Sequence, residues 1–320
     1  HYRDRRQRQM CIRDSHLMKT SKISVSPENV LITPGAKQAL LYSYMTVLNP
    51  SDEAILLSPS WASYEPMISI IGGVPVNVPV DRKNFHPDMD AIRSSITDRT
   101  RMIMVNSPCN PTGAVYTREE IEEIVSIAIE HDLWIISDEI YSRLIWNGGE
   151  HVSPATIEGG KERTIVISGW SKTWAMTGMR VGFLAGPEQA VRAAVKCQAN
   201  SASHIPTFMM EAARVALDCD DHVERFSDAY RHRRNLIVQG LEDIPGLRIV
   251  NPEGAFYLFI DVTGTGMSDV QFADGALKAG VQLIPASLIT GGEGFIRVSY
   301  AASEEDIKEG INRLRSWLLE

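Results

Sequence analysis

One lysine stands in a segment whose composition suits a reactive amine. Lys172 follows the β-branched run 164–167, has small neighbours on either side and precedes Arg180 by eight residues. A lysine on a solvated helix needs none of these neighbours. An amine that is partly removed from water can form a Schiff base with a carbonyl compound or accept a proton. The pattern therefore predicts a reactive lysine rather than a solvated surface charge.

Two further polar motifs follow strand-like runs in the same way. One is Asn-Ser-Pro-Cys-Asn-Pro-Thr-Gly at 106–113, and the other is Asp-Glu-Ile-Tyr at 138–141. In open α/β sheets, ligands bind beyond the carboxyl ends of the parallel strands. Each motif alone could be an ordinary turn or a helix cap. Three such segments together predict one polar site that contains Asn110, Asp138 and Lys172.

An arginine interrupts a later apolar strand. Arg297 lies within Phe-Ile-Arg-Val-Ser-Tyr at 295–300. A charge in such a strand requires a partner, which is either a structural salt bridge or a bound anion.

The segments that carry these residues alternate as in an α/β protein. Strands are predicted over residues 53–57, 74–80, 101–106, 133–138, 163–168 and 181–185. Helical patterns separate most of them, including 119–130 after Thr117, an N-cap candidate, and a long polar helix is predicted over 221–241. This order predicts a mostly parallel sheet covered by helices.

The pattern changes after Pro245-Gly246. Strands are predicted over 247–250, 255–260, 281–285 and 295–299, with helices near 269–279 and from 303 onward. We therefore expect a large domain over residues 16–220, then a linking helix and a small C-terminal domain over 221–320. Residues 1–15 resemble a translated adapter sequence and are expected to be a non-native tail outside the fold.

Composition excludes several classes of protein. A chain of 320 residues with 44% hydrophobic content can bury a large core, and a net charge of -8 argues against a nucleic-acid surface. Cys11, Cys109, Cys197 and Cys219 lack paired short spacings, so neither a metal site nor a disulfide framework is predicted. No apolar stretch reaches the roughly 20 residues of a membrane helix. We expect a cytoplasmic protein without nucleic-acid or membrane partners.

The three motifs occur in the order and approximate spacing of a known family. From about Leu17 to its end, the chain resembles the fold-type I pyridoxal-phosphate enzymes of the class I/II aminotransferase family, which includes aspartate and aromatic aminotransferases. The resemblance implies a seven-stranded, mostly parallel sheet sandwiched by helices, with a smaller C-terminal α+β domain. It also implies pyridoxal 5'-phosphate, transfer of an amino group from an aspartate-like or aromatic L-amino acid to a 2-oxo acid such as 2-oxoglutarate, and a homodimer with shared active sites.

The resemblance also implies roles for individual residues around the cofactor ring. Lys172 would form the internal aldimine and later carry the proton that leaves the substrate Cα. Asp138 would pair with the pyridine nitrogen and keep it protonated. Asn110 and Tyr141 would hydrogen-bond the phenolic oxygen. Tyr141 could instead be a packed aromatic with its hydroxyl at the surface.

The phosphate and the substrate have their own expected contacts. Gly35, Ala36 and Lys37, at the start of a helix, would bind the phosphate together with Ser171 and Arg180. Trp61 would stack on the ring and contact the substrate with Asn110, and Arg297 would grip the substrate α-carboxylate with its two-pronged guanidinium. A plain turn at Gly35 and a core tryptophan at Trp61 are the ordinary alternatives.

Two other functions stay open beside amino transfer. Carbon-sulfur β-lyases use the same cofactor and fold, but they typically carry His where this chain has Cys109 and Tyr141. A non-catalytic regulatory module would add a helix-turn-helix domain, which this acidic chain does not show. Family members have a longer N-terminal part, expected to be missing here, which helps to read the substrate side chain. The sequence therefore leaves the amino donor undefined.

Overall fold

A seven-stranded sheet forms the larger part of the molecule. The structure is a computed structural model that describes residues 23, 25–289 and 291–319. The strands are β1 (Val30–Thr33), β2 (Glu53–Ser58), β3 (Val74–Pro79), β4 (Thr100–Asn106), β5 (Trp134–Asp138), β6 (Thr164–Gly169) and β7 (Gly182–Ala185). They lie in the order β1-β7-β6-β5-β4-β2-β3. Strands β2 to β6 are mutually parallel, while β7 runs antiparallel to both β6 and β1.

Helices cover both faces of this sheet. They are α1 (Ala36–Val47), α2 (Tyr64–Ile70), α3 (Met89–Ser94), α4 (Arg118–Glu130), α5 (Trp170–Thr173), α6 (Glu188–Ala199) and α7 (Thr207–Ala216). Successive strand residues point to opposite faces of the sheet, so each central strand contributes side chains to two hydrophobic cores. In β2, Ile55 packs in the core that includes Ile121 of α4, whereas Leu56 packs in the core that includes Leu40 of α1. The predicted α/β architecture is confirmed.

A second, smaller sheet follows in the chain. Its strands are β8 (Arg248–Ile249), β9 (Tyr257–Asp261), β10 (Ile284–Pro285) and β11 (Phe295–Ser299), in the antiparallel order β10-β11-β9-β8. Helices α8 (Asp220–Leu241), α9 (Asp269–Lys278) and α10 (Glu304–Leu319) pack against it. Their buried apolar residues join those of β9 and β11 in one core.

The predicted elements agree with these bounds to within a few residues. The N-cap at Thr117 is present as a capping box with Glu120. Strand β1 was not predicted, because a four-residue buried run carries no periodicity that separates it from the start of a helix. The tail predicted at residues 1–15 lies outside the described residues. Among the described helices, none has both the length and the apolar composition required to cross a membrane.

Candidate active site

The three polar motifs meet at one edge of the large sheet. Asn106 at the end of β4 pairs in register with Asp138 at the end of β5, and the Asn106 side-chain amide donates to the Asp138 backbone carbonyl at 3.0 Å. The β6 strand pairs with β5 and ends at Gly169, three residues before Lys172. A cavity of about 340 Å³ opens at this edge. Its lining contains Ala36, Lys37, Leu40, Trp61, Tyr64, Asn106, Asn110, Asp138, Ile140, Tyr141, Ser171, Lys172, Thr177, Arg180 and Tyr257.

Asp138 is a buried carboxylate in the floor of this cavity. Its Oδ2 accepts a hydrogen bond from the Tyr64 hydroxyl at 2.8 Å, and its Oδ1 accepts one from the Ile140 amide at 3.2 Å. Burial raises the pKa of Asp138 to about 6, although these two donors and the Lys172 charge favour its ionised form. A carboxylate in this environment would be stabilised by a cationic ligand group.

Lys172 lies in the short helix α5 on the wall of the same cavity. Its amine is half-buried, with Nζ 5.1 Å from the centre of the Phe256 ring and 6.0 Å from that of Tyr141. Burial lowers the pKa of Lys172, and the nearby Arg297 charge adds to this effect, while Asp138 opposes it. The surroundings therefore shift the ionisation of this amine toward its neutral form, the form that acts as a nucleophile or base.

Two hydrogen-bonded pairs cross from the large sheet to the small one. The Tyr141 hydroxyl lies 3.0 Å from the Tyr257 hydroxyl, so it is buried rather than exposed at the surface. Arg297 donates from Nη1 to Oδ1 of Asn110 at 3.1 Å, and its guanidinium lies 4.8 Å from the Tyr257 ring centre. The buried Nε of Arg297 has no hydrogen-bond partner among the described residues. A bound carboxylate would satisfy that donor.

The start of α1 and Arg180 lie on one side of the cavity. The first amides of a helix have no partner within the helix and carry a partial positive charge. Gly182 lets β7 approach this helix start, since a Cβ there would lie 2.4 Å from the Ala36 nitrogen. Arg180 adds a full charge and has a left-handed backbone with φ of 52°. A non-glycine residue in that region is strained, as is common at ligand sites.

Trp61 and Lys37 line the mouth of the cavity. The Trp61 indole meets the Tyr64 ring edge-on, with the two ring centres 5.3 Å apart, and Lys37 Nζ lies 4.8 Å from the indole centre. Trp61 is partly exposed, unlike a core tryptophan.

Most of the predicted site residues line this single cavity. Two do not: Gly35 lies behind the Arg180 guanidinium, and Arg297 contacts the cavity through Asn110. The sequence reasoning missed Tyr64 and Tyr257. Tyr64 follows Trp61 by three residues, and its amide donates to the Trp61 carbonyl at 3.0 Å, so its closeness in sequence to Trp61 was the available signal.

The cavity residues fit pyridoxal phosphate. The helix start with Arg180 suits a phosphate, the buried Asp138 suits a ring cation, and the Lys172 amine, whose pKa is lowered, suits a carbonyl. Fold and site together define a pyridoxal-phosphate enzyme built on a mostly parallel sheet.

Comparison with known proteins gives the family. Residues 10–314 match the model of aminotransferase class I and II. The chain is 39% identical over 296 residues to the aspartate/prephenate aminotransferase of Thermus thermophilus, a match that covers 91% of this chain and 76% of the relative. It is also 39% identical over 309 residues to aromatic-amino-acid aminotransferase 2 of Thermococcus litoralis, covering 94% and 79%.

Solved structures give the same result. The aromatic aminotransferase of Pyrococcus horikoshii superposes with a TM-score of 0.95 at 37% identity, covering 98% of this chain and 86% of that one. The aspartate aminotransferase of Thermus thermophilus with maleate gives a TM-score of 0.92 at 36% identity, covering 98% and 82%. The chain belongs to the class I and II aminotransferase family, whose members use pyridoxal phosphate, and it is an amino-acid aminotransferase.

Proposed function

We propose that this protein moves an amino group from an aspartate-like or aromatic L-amino acid to a 2-oxo acid such as 2-oxoglutarate. The observation that carries the proposal is the placement of Lys172 and Asp138 in one cavity, with a lowered pKa for the amine. The donor class is taken from relatives named as aspartate/prephenate and aromatic aminotransferases.

Different cavity residues would bind different parts of pyridoxal phosphate. Pyridoxal phosphate, when bound, supplies a reactive carbonyl carbon and an electron-withdrawing ring that stabilises negative charge at the substrate Cα. Arg180, Ser171 and the Gly35–Lys37 segment would hold its phosphate, and the Asp138 carboxylate would hold its ring nitrogen. Asn110 and Tyr141 would bind the phenolic oxygen, with Trp61 against the ring face.

Lys172 would act as the proton carrier. In its neutral form, Nζ would take the proton from the substrate Cα and hold it, and in the reverse half of the cycle it would return a proton to the Cα of the product amino acid. Arg297 would fix the α-carboxylate through its Nε and a second guanidinium nitrogen, so that the Cα–H bond points toward Nζ. The Arg297 charge also contributes to the lowered pKa of Lys172.

We also propose a homodimer in which the active sites are shared. Helix α7 supports this, because it packs beneath the site through a 2.9 Å hydrogen bond from the Trp170 indole to the Ala213 carbonyl. Its outer face exposes Phe208 (66%) and Val215 (53%), two turns apart on one side. Exposed apolar side chains on one helix face suit contact with a partner subunit.

We also propose a domain division and a cellular location. The chain would divide near residue 220 into a large domain over 16–220 and, over 221–320, a linking helix with a small domain, because α8 contributes to the core of the second sheet. Free thiols at Cys109, Cys197 and Cys219 suit a reducing cytoplasm.

A donor panel tests the function. Aspartate, aromatic and neutral amino acids are each supplied with 2-oxoglutarate, and glutamate formation is followed separately from ammonia release. Glutamate formation that is lost in Lys172→Ala supports amino transfer with Lys172 as the base. Release of ammonia and a keto acid without glutamate would instead identify a β-lyase.

A further inference from the structure

A histidine outside the cavity lies between two carboxylates from distant parts of the chain. His86, in the loop after β3, places Nδ1 2.8 Å and 2.9 Å from the two carboxylate oxygens of Glu120 in the first turn of α4. Its Nε2 lies 3.4 Å from Oε2 of Glu253, which precedes β9. The His86 side chain is only 16% exposed. An imidazole that faces a carboxylate at each nitrogen is best satisfied when both nitrogens are protonated.

Glu253 also holds the asparagine-containing turn at 109–114. Its Oε2 accepts a hydrogen bond from the Val115 amide at 2.9 Å. The backbone amides of Glu253 and Gly254 both donate to the Gly113 carbonyl at 2.9 Å. The segment before β9 and the turn therefore form one hydrogen-bonded unit, and His86 ties this unit to α4.

Both parts of this unit reach the cavity. The turn carries Asn110, which accepts the hydrogen bond from Arg297 at 3.1 Å. The chain that continues from Glu253 leads directly to Phe256, whose ring centre lies 5.1 Å from Lys172 Nζ. A displacement of Glu253 would therefore move the groups that are proposed to bind the substrate carboxylate.

We propose that His86 is a positioning residue for amino transfer, which fastens Glu253 to helix α4 and so holds Asn110 and Arg297 in their substrate-binding geometry. This inference rests on the proposed function of the cavity. Its expected signature is a change in the KM for the amino donor rather than in the rate of the proton transfer, because His86 touches none of the reacting groups.

The same contacts define a pH range for the effect. Hydrogen bonds to Glu120 and then to Glu253 raise the pKa of His86 to about 9, although partial burial opposes them. Among the described residues, those two carboxylates and the Tyr116 ring 6.1 Å away are the titratable groups that face it. A folded-state pKa above the unfolded value of 6.5 gives stabilisation that is complete below about pH 6.5 and is lost as the pH rises through about 9.

The test compares the holoenzyme with His86→Asn and His86→Lys between pH 6.5 and 10. At pH 7.5, His86→Asn is expected to raise the KM for the amino donor about threefold to tenfold, with kcat changed less than about twofold. The wild-type KM should rise as the pH passes about 9. His86→Lys keeps its charge to about pH 10, so its KM should stay low and rise at a higher pH.

His131→Asn is the matched control. His131 follows the C-terminal end of the same helix, and its Nε2 lies 3.8 Å from Oε1 of Glu130. This variant should retain the wild-type KM at every pH. If His86→Asn fails to fold, Glu253→Gln replaces it in the test, because it removes the negative charge that faces Nε2 and leaves an amide oxygen that can accept from Val115. Its KM should also rise.

A titration of the imidazole Cε1 resonance by NMR gives a readout without activity. The resonance that disappears in His86→Asn should titrate near pH 9. A wild-type KM in His86→Asn throughout the pH range, or a midpoint near 6.5, would overturn the inference. Absence of amino transfer in the wild-type protein would overturn the proposed function instead. The NMR midpoint would still decide whether His86 is held between the carboxylates of Glu120 and Glu253.

Discussion

The hydroxyl of Tyr64 donates a hydrogen bond to Oδ2 of Asp138 at 2.8 Å, across 74 residues of chain. The same tyrosine ring meets Trp61 edge-on. One side chain of α2 therefore supports both the acid proposed to face the cofactor nitrogen and the aromatic proposed to stack on the ring. Its position shows that the floor and the face of the cavity are built as one packed unit.

Tyr64→Phe should weaken cofactor binding at mildly acidic pH. The donor that favours ionised Asp138 is lost while the packing against Trp61 is retained, so the pKa of Asp138 should rise above about 6. At pH 6.5 we expect about a threefold to tenfold lower affinity of the cofactor-free protein for pyridoxal phosphate, measured by absorbance titration. The loss should diminish at pH 8.

Tyr44→Phe provides the control for that experiment. Tyr44 is also buried, but its hydroxyl donates to the Met104 sulfur at 3.4 Å rather than to Asp138. It should bind the cofactor nearly as the wild type does. Equal losses in both variants would show that the effect comes from packing and not from the hydrogen bond.

Asp138→Asn should raise the free energy of unfolding and lower the turnover. The pKa of Asp138 is raised from 3.8 to about 6, so its neutral form stabilises the fold below about pH 3.8, and this contribution is lost as the pH rises through about 6. The cofactor-free variant should therefore exceed the wild type in free energy of unfolding by about 1–3 kcal/mol at pH 7.5, with a smaller difference at pH 5. Urea unfolding measures this. Turnover should fall by about 100-fold or more.

Gly182→Ala should damage the phosphate site. The added methyl would lie 2.4 Å from the backbone at Gly35 and Ala36, so the start of α1 has to move. We expect about a tenfold or larger loss of affinity for pyridoxal phosphate, with inorganic phosphate competing less well. Gly178→Ala is the control, because its added methyl meets nothing within 4 Å, and it should bind like the wild type.

Arg297→Lys should raise the KM for the amino donor about tenfold to 100-fold. A lysine ammonium keeps the charge, but it cannot replace the two-pronged guanidinium or its hydrogen bond to Asn110. Steady-state kinetics with a saturating 2-oxo acid measures this. Arg248→Lys, which alters a half-exposed pair with Asp261 in the same sheet, should leave KM unchanged. A normal KM in Arg297→Lys would exclude Arg297 from carboxylate binding.

The sequence by itself determined the α/β architecture and the convergence of the three motifs. Asn110, Asp138 and Lys172 each follow a buried, mostly apolar strand. The carboxyl ends of parallel strands share one edge, so the local pattern was sufficient to place these residues together.

Only the tertiary structure decided the contacts between distant segments. The Tyr64 bond to Asp138, the Tyr141 bond to Tyr257 and the His86 contact with Glu253 join residues whose separation along the chain carries no periodic signal. Their partners are selected by packing, and the shifts in pKa follow from the burial that packing creates. Local patterns thus determine which elements form and where they end, whereas side-chain ionisation and pairing depend on the assembled core.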